Sequence, residues 1–193
     1  MAGDAWKFIT AFLRQPRQVG AVWPSSAALA RRMADGVDWS AAHTVLELGP
    51  GTGVLTREIV ARAQPSTRIG AIEINSEFAE LLRQRYPRVE VFTDSVARTS
   101  ELCTEAGIPQ VDAILSGLPW AVFTDADQHQ FLSSAASTLK PGGQFVTFAY
   151  LQGLLLPAAK RFRKLLESQF TDVRLSRTVW LNVPPALAYY CVK

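Results

Sequence analysis

Cysteine, histidine and methionine are scarce: the 193 residues hold two of each. Cys103 and Cys191 stand far apart with no ligand-like spacing, and His43 and His129 are isolated, so no metal site and no disulfide framework is expected. Long apolar runs are missing too. The run Leu154 to Leu156 stops at Pro157, far short of the roughly 18–20 residues that cross a bilayer. Lys7, Arg14 and Arg17 break the N-terminal stretch, which excludes the unbroken apolar core of a leader peptide and makes the cytoplasm the expected location. There are no repeats and no low-complexity stretch. With 48% apolar and 19% charged residues, the chain reads as a globular domain that can bury a core. Acid is short at both ends. Residues 1–33 carry five lysines and arginines against one acid, residues 34–159 eight against fourteen, and residues 160–193 seven against two. Basic ends on an acidic body suit either two solvated helix faces or an anionic surface, lipid or nucleic acid, met by both termini.

What is present alternates. Val45-Leu46-Glu47-Leu48 is a short apolar run entering Gly49-Pro50-Gly51-Thr52-Gly53, a strand feeding a tight turn, with helical residues from Thr56 to Ala63. Further strands are expected over 68–74, 89–92, 111–115 and 144–150, and helices over 76–86, 95–106, 127–139 and 157–169. Ser76 is the expected N-cap of the helix it opens, and Pro141-Gly142-Gly143 the terminator of the helix before the fifth strand. Two closing strands, over 173–181 and 187–192, follow one another without a helix. The pattern predicts an α/β, Rossmann-like, mostly parallel sheet with an antiparallel C-terminal edge pair. Residues 1–40 are expected to form a helical extension, and residues 41–193 the ligand-binding domain.

The segment Glu47 to Gly53 carries the chemistry. Gly49, Gly51 and Gly53 let the backbone turn sharply and approach a ligand where any Cβ would collide. The loop feeds a helix N-terminus, whose free N–H groups suit an anion such as the methionine carboxylate of S-adenosylmethionine. A dinucleotide fingerprint would need glycine where Val54 stands. Glu47, ending the first strand, can meet the methionine ammonium. Glu73, with Ile74 beside it, ends the second strand, where a carboxylate can accept both ribose hydroxyls. Asp94, after the third strand with Ser95 and Val96 beside it, is placed to accept from the adenine amino group. A structural acid is the bland account of each one singly; three acids at three successive strand ends argue for a donor site.

The fourth strand ends in Ser116-Gly117-Leu118-Pro119-Trp120. A proline there fixes the backbone so that carbonyl oxygens can point at an incoming amine. Displacement on a sulfonium methyl needs mainly alignment, so positioning can supply much of the rate. Trp120 is expected either to wall the pocket, stabilising a methylated ammonium by cation–π contact, or to be a packing residue of a strand-end turn. No residue stands out as a general base.

Val19-Gly20-Ala21-Val22-Trp23-Pro24-Ser25-Ser26, the Glu47 to Gly53 loop, Ser116-Gly117-Leu118-Pro119 and Asn182-Val183-Pro184-Pro185 together resemble the bacterial phospholipid N-methyltransferases. The resemblance spans nearly the whole chain. It implies a class I methyltransferase fold and methylation of phosphatidylethanolamine, or its methylated forms, at the inner face of the cell membrane. It also implies that Gly20 to Ser26, including Ser25 and Ser26, lies over the donor, and that Tyr150 lies beside the acceptor. A more distant resemblance, in the glycine loop, is to the rRNA adenine dimethyltransferases. Their acceptor motif is Asn-Leu-Pro-aromatic, and Gly117 stands here in the Asn position. A helical RNA-binding domain is not expected after the last strand, and nucleic acid is not the expected partner. The readings left open are methylation of rRNA adenine, of a small-molecule amine, and a non-catalytic donor-binding scaffold.

Taken as a helix, residues 6–14 place Trp6, Phe8, Ile9, Phe12 and Leu13 on one side and Lys7, Thr10 and Arg14 on the other. Such a segment suits an anionic membrane surface or packs on its own domain, and about nine residues form a marginal helix in water without a partner. In solution a monomer is expected.

Overall fold

A computed structural model describes residues 26–108 and 110–193. The expected helix over 6–14 and the position of Ser25 lie outside the described residues.

The described chain opens with α1 (Ala27–Ala34), capped by Ser26, whose Oγ accepts the Leu29 N–H at 3.2 Å. Leu29, Ala30, Met33 and Ala34 are buried. The packed body therefore begins no later than Ser26, and the boundary expected at residue 40 falls inside it. Then follow β1 (Thr44–Leu48), α2 (Val54–Arg62), β2 (Arg68–Ile72), α3 (Ser76–Arg85), β3 (Val89–Phe92), α4 (Thr99–Glu105) and β4 (Val111–Ser116). The second half is α5 (Asp125–Thr138), β5 (Leu139–Tyr150), α6 (Pro157–Gln169), β6 (Asp172–Leu175) and β7 (Ala186–Val192).

The seven strands lie in the order β3-β2-β1-β4-β5-β7-β6. The first five are mutually parallel and β7 runs antiparallel to both its neighbours, as the pattern of the chain predicts. β1 is buried on both faces beyond Thr44, which is why it reads as an apolar run rather than an alternation. One core packs Leu102 of α4, Phe131 and Leu132 of α5 and Phe162 of α6 on the sheet. The other packs Leu29 of α1 with Leu55 and Ile59 of α2. The chain order reverses between β1 and β4, and that switch point leaves a crevice at the carboxyl ends of the strands.

Three local expectations are corrected. Asn75, not Ser76, caps α3: its side-chain oxygen accepts from the N–H groups of Glu77 (2.9 Å) and Phe78 (3.1 Å). β5 starts at Leu139 rather than at 144, because Pro141-Gly142-Gly143 makes an irregularity inside the strand. Gly142, at φ 75°, donates to Lys193 O, and Lys193 N donates to Gly143 O. β6 ends at Leu175 instead of 181, because the Ser176 hydroxyl takes the Ala188 N–H at 2.9 Å and ends the regular ladder; Val179 keeps a single bridge to Ala186.

Candidate active site

The glycine loop closes around its own backbone. Gly49 N donates to Ile72 O, Gly53 N to Pro50 O, and Gly51 N to Glu73 Oε2 at 2.9 Å. All three glycines have positive φ, and a Cβ on Gly51 would meet only open space, so the backbone there faces a cleft. The loop's own glycine N–H groups are thus taken within the protein. The first turn of α2, the expected place for an anion, has no side-chain cap, because its N-cap is Gly53.

Glu47 is fully buried, and neither carboxylate oxygen has a hydrogen-bond partner; Thr56 Oγ1 beside it is likewise unpartnered. Burial lifts its pKa from 4.5 to about 8, and the charge of Glu73 adds to the rise. Thr56 opposes the shift without making a bond of ordinary geometry. A buried carboxylate with two empty acceptors is costly unless a cation or donor faces it. Glu73 is also buried, and desolvation raises its pKa against the backbone bonds that lower it. Its Oε1 accepts Asn75 N–H at 2.8 Å while Oε2 holds Gly51. A carboxylate has about four acceptor sites, so these bonds do not exhaust it. Ile74 follows at the strand end, half-buried.

Asp94 is more occupied than its spacing suggests. Oδ1 accepts Ser95 N–H at 2.7 Å, and Oδ2 pairs with Arg98, which also binds Glu101 and Glu105. Ser95 caps the short turn Val96–Arg98, and Val96 is buried in the core. Arg98 was not picked out in the sequence, although Asp94, Glu101 and Glu105 at i−4, i+3 and i+7 are the spacing of one helix face.

The loop after β4 sits directly on the glycine loop. Gly117 N donates to Leu48 O at 2.8 Å, and a Cβ on Gly117 would lie 2.7 Å from Gly49 O. A Cβ on Gly49 would meet Leu118 Cδ2 at 2.5 Å. Three carbonyls of this loop are engaged: Ser116 O accepts from Thr147 Oγ1, Leu118 O from Trp120 N, and Pro119 O from Val122 N. Among the described residues Gly117 O is the carbonyl of the four that accepts no hydrogen bond.

Trp120 corrects the expectation of a pocket wall. It is 2% exposed, stacks on Phe162 at 4.6 Å, and meets Phe123 and Phe145 edge-on. Its Nε1 donates to Ser116 Oγ at 3.1 Å, so Ser116 anchors the indole and is itself buried. The ring is a core residue with no face for a cation. Tyr150 ends β5, beside β4; its ring meets Phe148 edge-on at 5.4 Å, and burial pushes its phenol up to about 12, so it stays protonated.

Two segments distant in sequence meet at this end of the sheet. Ser26 N donates to Asn182 Oδ1 at 2.8 Å, and Asn182 Nδ2 to Pro184 O at 2.7 Å. The side chain of Asn182 thus joins the start of the described chain to the loop before β7. Among the described residues no group of three histidines, cysteines or acids is placed to hold a metal ion, and no helix is long and apolar enough to cross a membrane.

Residues 45–143 match the family described as methyltransferase domain. The ornithine lipid N-methyltransferase of Singulisphaera acidiphila is 30% identical over 97% of this chain and 95% of that protein. Ribosomal RNA small subunit methyltransferase A of Thermotoga neapolitana is 28% identical over 57% of this chain, but over 40% of its own length. Among solved structures, the O-methyltransferase TomG of Streptomyces achromogenes, in complex with SAM, superimposes with a TM-score of 0.72 at 17% identity, covering 98% of this chain and 89% of that one.

Proposed function

This chain belongs to the class I S-adenosylmethionine-dependent methyltransferases, and from that premise we propose that it methylates the amine of a membrane-lipid headgroup. The observation that carries the proposal is the end-to-end correspondence with a protein named for N-methylation of ornithine lipid. The likeness to the rRNA enzyme, in contrast, takes in less than half of that protein. Phosphatidylethanolamine and ornithine lipid both offer a primary amine at the interface and are the two acceptors to be compared.

The residues fit the donor. The empty, buried Glu47 carboxylate suits the methionine ammonium, and the uncapped N-terminus of α2 suits the methionine carboxylate. Glu73 keeps acceptor sites for the ribose hydroxyls, while Asp94 or the backbone beside it, at Ser95 and Val96, borders the place for adenine. Bound there, S-adenosylmethionine supplies an electrophilic sulfonium methyl. The protein's own part is alignment. Gly117 O takes an N–H of the incoming amine and turns the nitrogen lone pair toward the methyl, and Tyr150 offers a protonated hydroxyl at the neighbouring strand end. Ser116, Leu118 and Pro119 hold the loop that presents Gly117. The near-contact of Gly117 with Gly49 O also leaves no room for an asparagine side chain, which weakens the adenine reading.

The test is methyl transfer from labelled S-adenosylmethionine to separate vesicles of phosphatidylethanolamine and ornithine lipid, and to unmodified rRNA. Label is expected in one or both lipids; label in RNA alone would overturn the proposal.

A further inference from the structure

An apolar rim stands at the end of the sheet that carries the glycine loop. Leu155 is 80% exposed and Leu156 53%, in the segment after β5; Trp180 is 70% exposed, Leu181 81% and Val183 68%, in the loop before β7. The two segments lie side by side, because Tyr150 pairs with Ala186 and Leu151 N donates to Pro185 O at 2.8 Å. Asn182, within the second segment, is buried and turned inward onto Ser26 and Pro184. Its neighbours Leu181 and Val183 therefore project outward. Five large apolar side chains open to water at one edge are not accounted for by the fold.

Charge marks what covers them. α6 begins directly after Leu156, and its Lys160 and Lys164 are exposed, four residues apart on one helix face, with no carboxylate within ion-pair reach among the described residues. Arg177, beyond β6, is exposed and similarly unpaired. Apolar side chains bordered by unpaired cations suit an anionic bilayer, with the aliphatic groups and indole in the interface and the ammonium groups at the phosphates. A second copy of the chain meeting this rim about a two-fold axis would bring the same cations together.

We propose that Leu155, Leu156, Trp180, Leu181 and Val183 form a bilayer-docking surface that holds the carboxyl ends of β4 and β5 against the lipid headgroups. All five residues belong to the described, folded body. The proposal rests on the lipid-acceptor reading, and it is tested on vesicles with neither acceptor nor donor so that the two can fail separately.

In full-length Leu181→Cys protein, an environment-sensitive fluorophore is attached at position 181. Cys103 and Cys191 are 1% exposed, and burial pushes their thiols up to about 11 and about 12, so labelling falls on the new thiol. Vesicles of phosphatidylcholine with phosphatidylglycerol are expected to shift the emission to the blue, and acyl-chain quenchers to dim it. Leu155→Glu/Leu181→Glu, checked for an unchanged melting transition, is expected to bind these vesicles at least about tenfold more weakly while methylating a monomeric short-chain lipid amine as well as the unaltered protein. An unshifted probe on a vesicle-bound protein would overturn the proposal, as would equal binding by the double variant. A blue emission that appears with protein concentration alone would put a second copy on the rim. One present without vesicles and lost on deleting residues 1–25 would put that segment there; either result also overturns it. A silent probe on an enzyme that still methylates lipid in detergent micelles removes the rim alone; a responsive probe without any lipid product removes the acceptor reading.

Discussion

At the scale of the residue, Glu47 governs the donor-free protein. Its pKa of about 8 in the folded chain lies above the ordinary 4.5. The folded state thus keeps a proton that the unfolded chain releases. This contribution to stability is fully present below about 4.5 and is lost as pH rises through about 8. Denaturant unfolding of donor-free protein should show stability falling across that window, and Glu47→Gln should flatten the fall; an identical slope in the variant would contradict the burial. In the proposed donor complex the sign reverses, since an ammonium opposite Glu47 would favour the ionised form. S-adenosylmethionine affinity should therefore rise with pH toward about 8 with release of a proton, measured by calorimetry in buffers of different ionisation enthalpy. Glu73→Gln should weaken donor affinity by roughly 1.5–3 kcal/mol, the range for hydrogen bonds to a charged group, and calorimetry checks this as well. The three acids were legible in the sequence as strand-end carboxylates. Their present partners were not: Glu73 holds Gly51 and Asn75, and Asp94 holds Ser95 and Arg98. A strand-end position fixes where a carboxylate sits but not how many of its lone pairs the surrounding backbone has already used.

At the scale of the element, the loop after β4 packs on the glycine loop through Gly117 and Gly49, while its tryptophan takes the packing alternative and turns into the core. Periodicity fails in an irregular turn, so nothing local says whether an aromatic directly after Pro119, four residues past the strand end, faces a cleft or a core. Phe145 and Phe162, which enclose Trp120, come from β5 and α6. Trp120→Ala should accordingly cost about 3–5 kcal/mol of unfolding free energy, while donor affinity of the folded protein is unchanged; a stable variant with impaired transfer would restore the pocket-wall role. Asn182 shows the complementary case. Its motif was visible as family-like, but its partner, Ser26, lies 156 positions away. Asn182→Ala leaves Ser26 N–H and Pro184 O without their partner, at a cost of about 1–3 kcal/mol, read by thermal or denaturant unfolding.

For the whole molecule, the alternation of apolar runs and helical stretches carried the sheet order and its antiparallel edge, because parallel strands with crossover helices admit few arrangements. The irregularity at Pro141-Gly142-Gly143 escaped that reading, since it depends on Lys193 at the far end of the chain closing against Gly142 and Gly143. The assembled molecule sets the glycine loop, the Gly117 carbonyl and the apolar rim at one end of one sheet, an arrangement suited to the proposed acceptor, an amine held in the plane of a membrane. The amine attacks in its neutral form, so transfer should rise with pH above neutrality until another group titrates. The most direct measurement is mass spectrometry of a bacterial total lipid extract, supplemented with rRNA, after incubation with the purified protein and S-adenosylmethionine. Successive methyl increments confined to the nitrogen of amine-bearing lipid headgroups are the expected result; methylated adenosine in the RNA with every lipid headgroup unchanged would contradict it.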